Sequence, residues 1–94
     1  MVSKVMDYVE VNFPTIFNER VKKLSELNGK HVLIFERGRE MGVSQGRLYH
    51  PFPASGEYYI LEELQTEKDA NEKNKRFISH IERLFVEEDS NLVA

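Results

Sequence analysis

The chain of 94 residues has no cysteine. That excludes a disulfide-stapled scaffold, a thiolate metal site and a cysteine nucleophile. It also has no apolar run long enough to span a bilayer, and no membrane partner is expected. Met1 to Phe13 carries Asp7 and Glu10 and builds no signal-peptide core, so a cytoplasmic location is the expectation. Internal repeats and low-complexity linkers are missing too. Residues 1–89 therefore read as one small domain, with 90–94 as a mobile tail.

The motifs of most chemistries are missing as well. His31, His50 and His80 stand at no spacing that sets two ligands on one helix face, so no metal is expected. Ser44, Ser55 and Ser79 lack the glycine-flanked elbow of hydrolases. Glu62 and Glu63 are adjacent, and on an extended segment they point to opposite faces. Gly38, Gly42 and Gly46 recur every four residues, which is not the spacing of a phosphate loop. The sequence thus predicts no catalytic residue, no cofactor and no enzyme.

What the chain does contain is ordinary for a globular domain: 40% apolar and 31% charged residues, with a net charge of −3. The charge is segregated. Residues 1–19 carry −2, residues 20–56 carry +4 and residues 57–94 carry −5. A basic middle between acidic ends implies either different partners for different faces or ends that fold back on the middle.

Local patterns predict the elements. Val2, Val5, Met6 and Val9 suggest a helix over 3–12, although the alternation of Tyr8 and Glu10 with Val9 and Val11 also permits a strand. Pro14 interrupts. Ile16, Phe17, Val21, Leu24 and Leu27 form one stripe and predict a helix over about 15–27, stopped by Asn28-Gly29. His31 to Phe35 reads as a strand, and the glycine-rich stretch 37–47 as a turn and a bent strand that continues through Leu48, Tyr49 and His50. Pro51-Phe52-Pro53 ends it, and Glu57 to Leu61 reads as a third strand, antiparallel to its neighbours. Thr66 is a candidate N-cap for a final helix, whose core stripe would be Phe77, Ile78, Ile81, Leu84 and Phe85.

The expected fold class is α+β: an antiparallel sheet of three or more strands, flanked by N-terminal helices and a C-terminal helix. A helix leading into Leu27-Asn28-Gly29-Lys30-His31-Val32, a glycine-bent strand and then Gly46-Arg47-Leu48 resembles the small, strongly bent SH3-like and Sm-like barrels, over about a third of the chain. The resemblance implies a fold only, and no family residue is carried across.

Two features suggest binding. Arg37, Arg39 and Arg47 flank the glycines, where arginine can grip an anion and glycine lets the backbone approach it. Next comes Tyr49-His50-Pro51-Phe52-Pro53, where an aromatic ring is held between two prolines. Such a ring loses little entropy on binding if exposed, and anchors its loop to the core if buried. The expected function is a non-enzymatic interaction or regulatory domain that binds another macromolecule, a protein first of all, through Arg37, Arg39, Arg47, Tyr49 and Phe52. The alternative is a β-rich module that binds single-stranded nucleic acid through the basic middle, with Tyr49, Phe52, Tyr58 and Tyr59 stacking on bases. A domain this small leaves apolar surface uncovered, so a homo-oligomer is also open.

Overall fold

The computed structural model describes residues 6–37 and 42–89. Arg39 and the expected tail 90–94 lie outside the described residues. Strand β1 (Met6–Val11) is followed by helix α1 (Phe17–Glu26), then β2 (His31–Glu36), β3 (Val43–Tyr49) and β4 (Glu57–Leu61). A 3-10 turn (Glu67–Asp69), β5 (Lys75–Phe77), a second 3-10 turn (Ile78–His80) and β6 (Ile81–Asp89) complete the order. All pairings are antiparallel, in one six-stranded sheet with the order β1-β6-β2-β3-β4-β5. The α+β class is as expected, with one helix among the described residues and twice the strands that the sequence announces. The sheet is open, because β1 and β5 do not pair.

Two expected helices are strands. In 6–11 the alternation wins: Val9 and Val11 pair with Val86 and Leu84, and Tyr8 and Glu10 turn to the other face. The C-terminal stripe has a different cause. β6 pairs with β2 as Phe35↔Arg83 and then Glu36↔Ile81, so that Glu82 is skipped in a bulge. A bulge shifts the parity of a strand. Ile81 and Leu84, three residues apart, therefore both enter the core, as does Ile78 in the turn before them. Buried residues spaced by three imitate a helix. The expected helix does start at Thr66, whose side chain and Asp69 form a capping box. It stops after one turn, because residues 67–76 offer no apolar stripe to bury.

Helix α1 lies on one face of the sheet and buries Val21 and Leu24 against Val32, Ile34, Leu48, Ile60 and Leu84. Gly29, at φ 89°, supplies the left-handed residue just past the helix that Asn28-Gly29 predicts. Arg20 fastens the helix from below: Nε donates to the Pro14 carbonyl (2.7 Å), Nη1 to that of Ile78 (2.9 Å) and Nη2 to that of Ile81 (2.8 Å).

The sheet is also strongly curled, for a reason of chain length. β5 and β6 stand four strand positions apart, which is roughly 19 Å in a flat sheet. Ile78–His80 joins them with three residues, and the four Cα steps from Phe77 to Ile81 reach about 14 Å at most. The far edge must therefore fold back over the middle. The Arg37 amide donating to the His80 carbonyl (2.8 Å) marks where it arrives.

Candidate aromatic-loop site

β3 ends at Tyr49, whose ring packs at 5.9 Å from that of Tyr59 on β4. His50 follows and is buried, at 3% exposure. Its amide donates to Asn28 Oδ1 (2.6 Å) at the end of α1. Its Nε2 lies 2.9 Å from the Ser55 carbonyl, which can only accept, so Nε2 donates. Nδ1 hydrogen-bonds the Ser25 hydroxyl, 3.1 Å away on α1. The same hydroxyl lies 3.4 Å from the Pro53 carbonyl. One histidine thus ties both ends of the 50–55 loop to the helix.

On this mount the loop turns tightly, with the Ser55 amide donating to the Phe52 carbonyl (2.8 Å). Phe52 is 68% exposed. Beside the loop, a cavity of about 390 Å³ is lined by Val21, Lys22, Ser25, Pro53 and Ala54. Phe17 packs over Gly56, where a Cβ would stand 2.9 Å from the ring, and Phe77 faces Glu57 on the neighbouring strand. Both rings are exposed, so this end of the molecule carries Phe17, Phe52 and Phe77. Helical spacing places Phe17 and Phe77 on core stripes. Each sits at the end of its element, and periodicity alone carries no sign of that.

The arginines are not gathered. Arg47 lies opposite His31 at the start of β2, and Arg37 follows its end, so the length of β2 separates them by about 20 Å. Arg47 is committed within the fold: Nη1 donates to Glu67 (2.8 Å) and Nη2 to the Gln65 carbonyl (3.1 Å), which holds the 62–69 segment against the sheet. Arg37 is exposed, with Nε at 3.8 Å from Glu82. Among the described site residues, Tyr49 is half-buried and Phe52 is exposed.

A buried polar cluster went unseen in the sequence. Glu36 on β2 is 4% exposed and accepts hydrogen bonds from Ser44 (2.8 Å) and Tyr58 (3.0 Å). Arg76 stands 3.5 Å from the same carboxylate and donates to Ser44 Oγ (3.2 Å). A buried carboxylate demands such a partner set. Its four members come from four strands that only the curl brings together, so no local motif announces them.

Among the described residues, no group of three or more histidine, aspartate or glutamate side chains could hold a metal ion. No helix among them is long and apolar enough to cross a membrane. Comparison with known proteins gives no match to a family model, to a curated protein or to a solved structure.

Proposed function

We propose that the chain is a non-enzymatic, cytoplasmic interaction domain that binds a partner protein through the Pro51-Phe52-Pro53 loop. The observation that carries this reading is the contrast within the loop: Phe52 is 68% exposed, while His50, two residues before it, is 3% exposed and hydrogen-bonded on both ring nitrogens. An apolar ring presented on a fixed mount supplies desolvated contact area at little entropic cost. Phe17 and Phe77 extend the apolar contact, and Tyr49 supports the base of the loop. Arg37 would contribute charge-assisted contacts at the other end of β2. The finer fold reading, a strongly bent small barrel of the SH3-like or Sm-like kind, is supported by the three-residue link between β5 and β6 and by the Glu36–Tyr58 bond across the curl.

The test replaces Phe52 by a photo-crosslinking phenylalanine analogue, with Leu64, 93% exposed on the 62–65 turn, as the control position. Discrete protein adducts are expected from position 52 and not from position 64, with Phe52→Ala unchanged in melting temperature. Identical adducts from both positions would sink the reading, as would a large loss of stability in Phe52→Ala. Salt-sensitive binding of single-stranded RNA, lost with Arg37→Ala, would favour the nucleic-acid alternative instead.

A further inference from the structure

β3 is longer than its pairing with β4. Arg47, Leu48 and Tyr49 pair with Leu61, Ile60 and Tyr59, and there the ladder stops. β4 leaves the sheet because the Glu62 amide donates to Gln65 Oε1 (2.8 Å) and the Gln65 amide to the Glu62 carbonyl (2.9 Å), which closes a turn. On its other side β3 stays paired with β2 down to Val43.

Hydrogen-bond parity decides what is left open. The Glu36 amide donates to the Gly42 carbonyl (2.7 Å) and the Leu48 amide to the Lys30 carbonyl (2.9 Å), so the even residues of β3 turn their backbone groups to β2. The odd residues turn theirs the other way. Arg47 and Tyr49 spend them on β4. Val43 and Gln45 point theirs into a cleft of about 280 Å³ that separates β3 from Glu62, Gln65, Asn71 and Asn74. Among the described residues, no backbone group faces them there.

We infer that this cleft is a β-addition site: an extended segment of a partner protein enters it and pairs with Val43 and Gln45. The two residues present donors and acceptors about 7 Å apart along the strand, which is the repeat of an extended chain. The far wall of the cleft is polar, lined by Glu62, Gln65, Asn71, Lys73, Asn74 and Arg76. The segment it fits is therefore extended, with polar side chains such as serine or threonine facing that wall. An unpaired strand edge is a template for such pairing. The site lies at the opposite end of β3 from Phe52 and does not depend on the reading of the aromatic loop.

The probe is the blocked peptide Ac-Ser-Val-Thr-Val-Ser-NH2, titrated to millimolar concentration into the ¹⁵N-labelled chain, beside its fully N-methylated analogue. Amide shifts are expected at Val43 and Gln45 and across 71–76 with the first peptide, and none with the second, which cannot donate from its backbone. Gln45→Pro removes an edge N–H that β2 does not use and should weaken binding roughly fivefold, whereas Gln45→Ala keeps that N–H and should bind as the native chain does. Equal shifts with the N-methylated peptide would overturn the inference, and so would no shift at 43–45. Shifts confined to 50–56 would overturn it while leaving the aromatic-loop reading intact. The N-methylated comparison uses the unaltered chain, so the outcome stands even if Gln45→Pro fails to fold.

Discussion

The Tyr58 hydroxyl on β4 donates to the Glu36 carboxylate on β2 at 3.0 Å, although β3 lies between the two strands in the sheet. Along the ladder the two residues also stand at opposite ends: Glu36 lies beyond the Phe35↔Val43 pair, and Tyr58 beyond the Tyr49↔Tyr59 pair. Only a sheet rolled back on itself lets them touch. The bond is therefore a direct readout of the curl.

Tyr58→Phe keeps the buried ring and deletes that bond. Hydrogen bonds to charged groups contribute roughly 1.5–3 kcal/mol, and a loss of that size is expected in urea denaturation. A loss below about 0.5 kcal/mol would mean that the roll is held by packing alone.

Gly46 is needed for close approach. A Cβ there would collide with the Leu61 carbonyl oxygen and stand 2.8 Å from Ile60 Cγ2. Gly46→Ala should cost about 1–3 kcal/mol, as overpacking does. Hydrogen exchange should show the β3–β4 amides opening first, with those between β2 and β6 unaffected.

Two carboxylates set the acid limb of stability. Arg83 grips Glu10 with Nε (2.9 Å) and Nη2 (2.8 Å), and that hydrogen bonding holds the carboxyl below the ordinary glutamate value of 4.5. Glu67 is lowered too, first by its own backbone N–H and then by Arg47. A group depressed in the folded state contributes fully above its unfolded pKa and loses that contribution as pH falls through the folded one. The contribution of these two carboxylates should therefore be constant above about pH 5 and decline below the ordinary glutamate range. In an NMR titration Glu10 should have its midpoint below 4.5. In Arg83→Gln that midpoint should return to the ordinary value, with Glu67 unmoved.

Local chemistry was legible in the sequence, and long-range geometry was not. The expected third strand coincides with the observed Glu57–Leu61, α1 lies within the predicted helix, and Thr66 is an N-cap as expected, although of a single 3-10 turn and not of a long helix. These depend on prolines, glycines and caps that act over a few residues. The reading failed where a distant strand decides. The bulge at Glu82 exists because β2 selects which side chains of β6 face inward, and its product copies the spacing of a helix. For the same reason Arg37 and Arg47 look like neighbours in the sequence and stand a strand length apart in the fold. The sequence leaves Phe52 either exposed or anchoring, and its exposure follows from His50 taking the anchoring role.

The strand order has a consequence for synthesis on the ribosome. β6 inserts between β1 and β2, so the two strands made first remain unjoined until a strand made tens of residues later emerges. During translation β1 has no partner, and one edge of β2 stays bare. The nascent chain can form only the β2–β3–β4–β5 meander with α1 against it, and the core closes when Leu84 arrives. A stalled or truncated chain lacking β6 exposes both edges at once, the condition in which strands pair with the wrong molecule.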